Sequence, residues 1–330
     1  MKNKTAVVTG GAGFIGSHMV DLLLRKGFKV IAIDNLKGGH LQNIKHNLKN
    51  KKFKFIKKDI LKIKINEKIF KRCDYVFHFA GIGDIVPSIE RPLSYIDTNV
   101  IGTLKILQAV RSTKIKKFVY AASSSCYGLA KVPTGEKNNI KPMYPYALSK
   151  YLGEVLALHW KQIYNIPVNS IRIFNAYGPR VRTTGAYGAV FGVFFKQKLE
   201  NKPFTVVGNG NQKRDFVFVT DLCEAFYRAA LTKLNGQIFN VGSNNPQSIN
   251  KLINIIGGKK IFIKKRPGEP NVTWSSNKKI KKILKWKPKV QFETGVKIMM
   301  KDIKKWKKAP LWNEKKINTA TKTWFKYLGK

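Results

Sequence analysis

Cysteine and histidine are scarce in this sequence, and their scarcity excludes two classes of site. Three cysteines occur in 330 residues, at positions 73, 126 and 223. This odd, unclustered set argues against a disulfide framework, so the cytoplasm is the expected location. The five histidines show no metal-ligand spacing, and no metal site is predicted. No apolar run is long enough to cross a membrane, and no membrane association is expected.

Acidic residues and arginine are also scarce, whereas lysine is abundant. The chain has 63 Lys and Arg against 18 Asp and Glu, which gives a formal net charge of +45, yet arginine stands at only ten positions. A nucleic-acid surface normally uses arginine for bidentate phosphate contacts. The lysines are spread along the whole chain, which indicates a compositional bias. We therefore expect no specific nucleic-acid partner.

Glycine is concentrated in residues 10–16, between a predicted strand at residues 4–9 and a predicted helix at residues 17–26. This order is the dinucleotide-binding fingerprint, in which glycines let the backbone approach a pyrophosphate and the helix N-terminus supplies N–H donors. A second predicted strand ends at Asp34. A carboxylate there accepts hydrogen bonds from the adenosine ribose and repels a 2′-phosphate, so the sequence favours NAD over NADP.

Short apolar strands alternate with helices through the first half of the chain. Further strands are predicted at residues 53–57, 74–80 and 117–123, with a helix at residues 92–112. This pattern predicts an α/β fold with a Rossmann-type, doubly wound parallel sheet. Residues 1–174 are predicted to form the NAD-binding domain. Residues 175–330, with more loops, are predicted to form a smaller, mainly substrate-binding domain whose segments can return to the sheet.

Residues at the predicted strand ends are candidates for cofactor binding. Asp59 follows the third strand, where it either meets the adenine or caps a turn. Asn99 lies inside the predicted helix at residues 92–112, where its amide serves either the structure or the cofactor. The predicted cofactor-binding residues of the first half are Gly10, Gly13, Phe14, Ile15, Gly16, Asp34, Asn35, Asp59, Ile60, Phe79, Ala80, Gly81 and Asn99.

Tyr146 and Lys150 stand four residues apart, about twenty residues after the serine run that begins at Ser123. On a helix this spacing places both side chains on one face, and a nearby ammonium lowers the phenol pKa from its usual value of about 10. Such a phenolate can take a proton from an alcohol. The same spacing occurs at Tyr127 and Lys131, but in a segment with loop signals, whereas Tyr146 follows a proline that suits a first helical turn.

Ordered motifs over residues 7–307 resemble the extended short-chain dehydrogenase/reductase family, and within it the nucleotide-sugar epimerases and dehydratases. Residues after about 310 add no motif. The motifs are the glycine segment at 9–18, Asp34-Asn35-Leu36, Phe79-Ala80-Gly81, the serine run at 123–128, Tyr146 with Lys150, the segment at 172–180, Arg214-Asp215-Phe216-Val217 and Arg266-Pro267-Gly268-Glu269-Pro270.

The resemblance implies an NAD-dependent isomerase similar to UDP-glucose 4-epimerase. Ser123, Tyr146 and Lys150 would be catalytic, and Tyr146 and Lys150 would also contact the cofactor. The implied reaction oxidises a UDP-hexose at C4 to a 4-keto intermediate and returns the hydride to the opposite face. Dehydratases and decarboxylases of the family carry acids where this chain has Ser124 and Ser125, so they remain alternatives, as does a non-enzymatic sensor of NAD or nucleotide sugar. Family members also imply a homodimer.

The resemblance places substrate contacts at six residues: Ser88, Ser124, Asn175, Arg214, Arg266 and Glu269. Arg214 and Arg266 would bind the diphosphate, because a rare arginine in a lysine-rich chain suggests a need for planar, bidentate contacts. The alternatives are ion pairs of Arg214 with Asp215 and of Arg266 with Glu269, and a loop cap at Ser88. The tryptophans at positions 286, 306, 312 and 324 are expected to pack the C-terminal helices.

Overall fold

Thirteen strands are present in the computed structural model, which describes residues 4–183 and 190–329. Seven of them form one parallel sheet in the order β11-β6-β5-β4-β1-β2-β3, and the other six pair two by two. The strands are β1 (Thr5–Thr9), β2 (Lys29–Asp34), β3 (Phe53–Lys57), β4 (Tyr75–His78), β5 (Lys117–Ser123), β6 (Val168–Ile173), β7 (Asn175–Tyr177), β8 (Phe204–Val207), β9 (Lys213–Arg214), β10 (Phe216–Phe218), β11 (Gln237–Val241), β12 (Gln247–Ser248) and β13 (Lys260–Ile263).

Helices cover both faces of the seven-stranded sheet. The α-helices are α1 (Phe14–Arg25), α2 (Val86–Glu90), α3 (Pro92–Tyr95), α4 (Gly102–Arg111), α5 (Pro145–Tyr164), α6 (Val190–Leu199), α7 (Val219–Leu231), α8 (Ile249–Ile256), α9 (Lys278–Leu284), α10 (Phe292–Lys301) and α11 (Glu314–Leu328). Helices α1 and α7 pack on one face, and α4 and α5 pack on the other. The predicted doubly wound α/β fold is confirmed.

The strand order reverses between β1 and β4. From β1 the sheet continues through β2 and β3 on one side, and from β4 it continues through β5 and β6 on the other. In an open parallel sheet, ligands bind outside the carboxyl ends of the strands at such a switch point. Thr9 of β1 is in register with His78 of β4. The glycine segment after β1 and the Ala80–Gly81 segment after β4 therefore meet at the same edge.

The predicted helix at residues 92–112 is interrupted. Residues Ile96–Ile101 form a π-helical segment between α3 and α4. Such segments widen the helix locally and are frequent at functional sites. Asn99 lies within this segment and is fully buried. Asparagine is unfavourable in the interior of a regular helix, and here it occupies the irregular turn.

A second hydrophobic core lies outside the sheet, among α6, β8, α8, α10 and the segment after α10. It is rich in aromatic residues: the Phe195 and Trp306 rings lie 4.9 Å apart, and the Phe194 and Phe204 rings 5.0 Å apart. Strand β11 nevertheless returns to the main sheet beside β6. The domain boundary at residue 175 remains a prediction. Within the described residues, no helix is both long and apolar enough to span a bilayer.

Candidate active site

The glycine segment forms a tight turn between β1 and α1. Gly10 adopts a φ of +69°, and a Cβ there would lie 2.8 Å from the Ala80 nitrogen. A Cβ on Gly16 would overlap the carbonyl oxygen of Gly10. Gly13 caps α1 without a side-chain hydrogen bond, so the N–H groups of the first turn remain available to an anion. The segment is shaped for close approach of a phosphate to backbone.

Asp34 ends β2 beside this turn. Its carboxylate accepts hydrogen bonds from the backbone nitrogens of Ala12, at 3.0 Å, and Leu36, at 2.8 Å. Burial raises the pKa of this carboxyl, and backbone hydrogen bonds from Leu36, Ala12 and Gly13 oppose the rise. Three donors leave at least one of the four lone-pair sites of the carboxylate free. Asp34 is therefore fixed in place and can still accept hydrogen bonds from ribose hydroxyls.

Asp59 fits the turn-capping alternative and still faces the same region. Its carboxylate accepts a hydrogen bond from the Leu61 nitrogen at 3.0 Å, and another from the Asn35 side chain at 2.9 Å. These hydrogen bonds, with the charge of Lys37, hold the pKa of Asp59 below its usual value against the effect of burial. Asn35, just after β2, and Asp59, just after β3, thus form a hydrogen-bonded pair.

Several predicted cofactor residues direct their side chains wholly or partly into the core. Phe14 and Ile15 pack against the core beneath α1, and the Phe79 ring lies 4.6 Å from Phe226. Ile60 is buried. Gly81 differs, because a Cβ there would lie 2.7 Å from Asn99 Oδ1 and 3.7 Å from the Lys150 ammonium. The absence of a side chain at Gly81 therefore leaves room for the Asn99 amide, and the Lys150 ammonium lies next to the same position.

Asn99 fits the structural alternative. Its Oδ1 accepts a hydrogen bond from the Ile82 nitrogen at 2.8 Å, and its Nδ2 donates to the Ile82 oxygen at 3.1 Å and to Ser149 Oγ at 2.9 Å. The amide therefore holds the segment after β4 against α5, the helix that carries Lys150. Its effect on a cofactor would be exerted through Gly81 and Lys150.

A buried histidine that sequence reasoning missed connects the glycine segment to the π-helical segment. His78 Nδ1 lies 2.6 Å from Thr9 Oγ1, and His78 Nε2 lies 2.9 Å from Thr103 Oγ1, which donates to the Asn99 oxygen at 2.7 Å. Because the Thr103 hydroxyl proton is used, Nε2 carries the ring proton and Nδ1 accepts from Thr9. Burial lowers the pKa of His78 to about 3, so the ring stays neutral.

The three predicted catalytic residues come together where β5 meets the start of α5. Ser123 is the last residue of β5, Tyr146 the second residue of α5, and Lys150 follows one turn later. The side chains of Ser123 and Tyr146 form a hydrogen bond. Ser123 Oγ also accepts from the Ser125 nitrogen at 3.2 Å. The hydroxyl and the phenol are thus oriented toward each other.

The expected lowering of the Tyr146 pKa by Lys150 is wrong. Burial raises the pKa of Tyr146 to about 12, although the hydrogen bond with Ser123 opposes the rise. Burial lowers the pKa of Lys150 to about 7. The Lys150 ammonium lies 4.6 Å from the centre of the Tyr120 ring. Both groups lie in a poorly solvated region that penalises their charged forms.

The paired residues Tyr127 and Lys131 do not share a helical face. Tyr127 is buried in a short 3-10 helix, Ser124–Tyr127. Its hydroxyl donates to Asn240 Oδ1 at 2.8 Å and accepts from Arg172 at 2.7 Å. Arg172 in turn pairs with buried Glu154 on α5. Tyr127 therefore belongs to a buried polar network behind the serine run.

Arg214, Arg266 and Glu269 form one charged cluster. Arg214 Nη2 lies 2.6 Å from Glu269 Oε1, and Arg266 Nε lies 2.9 Å from Glu269 Oε2. The two guanidinium groups hold the pKa of Glu269 below its usual value, although burial opposes them. The cluster has an excess positive charge, which suits a diphosphate.

The alternative pairing of Arg214 with Asp215 is wrong. Asp215 is fully buried, and its carboxylate accepts hydrogen bonds from Ser243 and Ser275. Asp215 lies between β9 and β10, and the Arg214 guanidinium pairs with Glu269 instead. Asn175 Oδ1 accepts a hydrogen bond from Thr273 at 2.9 Å.

A cavity of about 370 Å³ joins the predicted catalytic residues Ser123 and Tyr146 to the charged cluster. Ser123 and Tyr146 line it together with aromatic and aliphatic side chains such as Phe191 and Phe216. The predicted substrate residues Ser124, Asn175, Arg214, Arg266 and Glu269 also line it. Ser88 does not, because it is buried in α2 and its hydroxyl donates to the Ile85 oxygen at 2.6 Å. No cluster of three or more metal-binding side chains occurs among residues 4–183 and 190–329.

Residues 7–299 match the family model described as GDP-mannose 4,6 dehydratase. The chain belongs to this family. The resemblance to the extended short-chain dehydrogenase/reductases is thereby confirmed. Among curated relatives, the chain is 33% identical to the UDP-glucuronate 4-epimerase of Thermodesulfobacterium geofontis, over 88% of this chain and 93% of that one. It is also 33% identical to UDP-glucuronic acid decarboxylase 2 of Arabidopsis thaliana, over 92% of this chain and 69% of that one.

Solved structures of family relatives superpose on most of the chain. UDP-glucuronic acid 4-epimerase from Bacillus cereus, in complex with UDP-glucuronic acid and NAD, is 32% identical, with a TM-score of 0.85 over 91% of this chain and 99% of that one. The putative UDP-glucose 4-epimerase of Methanocaldococcus jannaschii is 38% identical over 88% of this chain and 95% of that one, against 33% for the decarboxylase, so the similarity favours the epimerases. The side chains of the cavity provide an independent criterion.

Proposed function

We propose that this protein is an NAD-dependent UDP-sugar 4-epimerase. The observation that carries the proposal is the single cavity that has the hydrogen-bonded Ser123 and Tyr146 at one wall and the Arg214–Glu269–Arg266 cluster at another. The cluster suits a diphosphate and the first pair suits a sugar hydroxyl. The epimerases among the relatives support the same reading.

The residues at the edge of the sheet fit NAD. The side-chain-free turn at Gly10 and Gly16 and the uncapped N-terminus of α1 would hold the pyrophosphate, and Asp34 would bind the adenosine ribose. Lys150, beside Gly81, would bind the nicotinamide ribose. When bound, NAD supplies the acceptor for the hydride that leaves the sugar carbon and later returns to it.

Tyr146 is the proposed proton acceptor. Tyr146 and Lys150 lie one helical turn apart on α5 and would share the proton during the reaction. Once Lys150 has lost its proton, above its pKa of about 7, the phenol oxygen would take the proton of the sugar hydroxyl as the phenol proton passes to Lys150. Ser123, which is hydrogen-bonded to the Tyr146 phenol, would orient the sugar hydroxyl. During the return step Tyr146 gives the proton back.

The cavity contains little that would support elimination or decarboxylation. Ser124 and Ser125 occupy the positions where the family alternatives carry acids, and Glu269 is the one carboxylate among the described residues that line the cavity. Both of its oxygens pair with arginines. These pairs keep the carboxylate ionised, so it is a poor proton donor or acceptor for the reaction. Epimerisation requires no further acid.

A product assay tests the proposal. Purified protein with NAD would be incubated separately with UDP-glucose, UDP-N-acetylglucosamine and UDP-glucuronic acid and with their 4-epimers, and the products separated by chromatography. We expect interconversion of at least one pair in both directions, and none with Tyr146→Phe. A 4-keto-6-deoxy product or release of carbon dioxide would assign the alternative reactions, and absence of any turnover by protein that binds NAD and UDP-sugar would favour a sensor.

We also propose a homodimer through α5 and the neighbouring helix. Apolar side chains on this side are exposed, including Leu93 at 77%, Leu148 at 42% and Ile163 at 56%. Exposed apolar side chains on two adjacent helices are candidates for an interface between two copies of the chain. Light scattering should give twice the chain mass, and Leu148→Glu should yield a monomer with an unchanged NAD affinity. A monomeric wild-type protein at micromolar concentration would refute the dimer.

A further inference from the structure

Trp324, on helix α11, reaches the wall of the cavity from outside. Its side chain is 5% exposed, and its Nε1 donates to the Pro267 oxygen at 2.8 Å. Its ring lies 5.6 Å from the Tyr144 ring, and the Arg266 guanidinium lies 5.9 Å from its centre. One side chain from a region without a sequence motif thus contacts two separate parts of the candidate site.

Tyr144 continues this contact toward the proposed base. The rings of Tyr144 and Tyr146 are 6.4 Å apart and parallel within 7°. The Tyr144 side chain also forms a hydrogen bond with Ser125, which lines the cavity. Trp324, Tyr144 and Tyr146 therefore form a row of aromatic rings that runs from α11 to the start of α5.

The segment at residues 264–270 carries Arg266 and Glu269 and contains neither strand nor helix. It is attached at one end by Arg214 Nη1, which donates to the Pro270 oxygen at 2.8 Å, and at its middle by the Trp324 indole, which donates to the Pro267 oxygen. An irregular segment has no ladder of backbone hydrogen bonds to fix it. The position of the Arg266 guanidinium therefore depends on Trp324 as well as on its ion pair with Glu269.

We propose that Trp324 is a positioning residue for the UDP-sugar site. It acts through Arg266 and Tyr144, because it is not among the residues that line the cavity. It holds the segment at residues 264–270 where Arg266 can meet a diphosphate, and it supports the ring that stacks on Tyr146. The assignment to a UDP-sugar rests on the function proposed above.

Trp324→Phe tests this inference, with Trp286→Phe as the matched control. Both indoles are almost fully buried and donate to a backbone oxygen, since Trp286 Nε1 lies 2.9 Å from the Asp221 oxygen in the core of the sheet. We expect Trp324→Phe to raise the KM for UDP-sugar and the Kd for UDP about three- to tenfold, as the loss of one hydrogen bond would. Trp286→Phe should lower the melting temperature comparably and leave KM and Kd within about twofold.

Trp324→Ala extends the test to the aromatic row. It removes the support behind Tyr144, so kcat should fall as well as affinity, and Trp324→Phe should restore most of the lost kcat. Unchanged KM and UDP affinity in Trp324→Phe, with a lower melting temperature in both phenylalanine variants, would overturn the inference and leave Trp324 a packing residue.

The outcome is separable from that of the proposed function. If the wild-type protein binds UDP but epimerises no UDP-sugar, the proposed reaction fails while the UDP affinity of Trp324→Phe still decides the role of Trp324. If the wild-type protein does not bind UDP, both proposals fail. Calorimetric titration with UDP therefore precedes the kinetic comparison.

Discussion

The proposed cofactor-binding edge of the sheet and the proposed substrate cavity are built from different parts of the chain. At the cofactor edge, backbone is the principal surface: a glycine turn, an uncapped helix and side chains such as Phe79 and Ile60 that point into the core. At the substrate cavity, side chains provide the surface, and Arg214, Glu269 and Arg266 hold one another by ion pairs. Tyr146 and Lys150 lie between the two.

This difference determines how each region tolerates change. A site made of backbone fails when a side chain is added, because nothing can move aside without unfolding the turn. A site made of side chains fails by degrees when one is shortened, because its neighbours keep part of the charge and shape. Variants that separate the two kinds of binding would therefore test the comparison, and the following four are given in order of expected effect.

Tyr146→Phe should have the largest effect, because it affects chemistry and leaves both binding regions intact. We expect kcat to fall about 10²- to 10⁴-fold, the usual contribution of a positioned acid–base group. Affinities for NAD and UDP, measured by calorimetry, should change little. Loss of either affinity together with kcat would show that the phenol is part of a binding surface, and the separation of the two regions would fail.

Gly16→Ala should break the cofactor edge alone. Its Cβ would overlap the Gly10 carbonyl oxygen, and backbone there has no room to shift. We expect NAD affinity to fall at least about tenfold with UDP affinity retained. Gly192→Ala is the control, because its Cβ would make ordinary contacts, at 3.7 Å, with Trp306. Normal NAD binding by Gly16→Ala would contradict the assignment of the turn.

Arg214→Lys should weaken the substrate cavity alone. The change keeps the charge but loses the planar, two-pronged donor, so we expect KM for UDP-sugar to rise about tenfold, with NAD affinity unchanged. Arg228→Lys is the matched control, since Arg228 pairs with Glu224 on α7, away from the cavity. Equal KM values for the two variants would remove Arg214 from the substrate site.

The pH dependence should show the coupling between the two regions. The Tyr146–Lys150 pair must have lost one proton to act as a base, and burial lowers the pKa of Lys150 to about 7. We therefore expect kcat/KM to fall as pH decreases below about 7 and to be nearly constant just above it. Lys150→Met should shift this acidic limb upward, toward the high pKa of Tyr146. A profile that is flat between pH 6 and 8 would argue against the pair.

Sequence alone predicted the fold and the residues whose roles depend on near neighbours. The strand–glycine–helix order and the Tyr146–Lys150 spacing are local, and both lie in the elements expected for them. The sequence predicts that Asn99 serves either the structure or the cofactor. Its amide forms hydrogen bonds with Ile82 and Ser149, which fits the structural role. Ser88 has no part in the described cavity, because its hydroxyl bonds within its own helical turn.

The sequence could not predict which distant residues contact each other, or how burial shifts the pKa values of side chains. Trp324 contacts Pro267 and Tyr144, which are 57 and 180 positions away, and no spacing in a single chain signals such contacts. His78 and the shifted pKa values of Tyr146 and Lys150 likewise result from the surrounding packing.

Local backbone geometry is set by neighbouring residues, so the sequence itself determined where a nucleotide would meet the turn at Gly10. The charge state of a side chain depends on how much water and which charges surround it after folding. The pairing of Glu269 with both arginines, the contacts of Trp324 and the protonation of the Tyr146–Lys150 pair were therefore decided only by the tertiary structure.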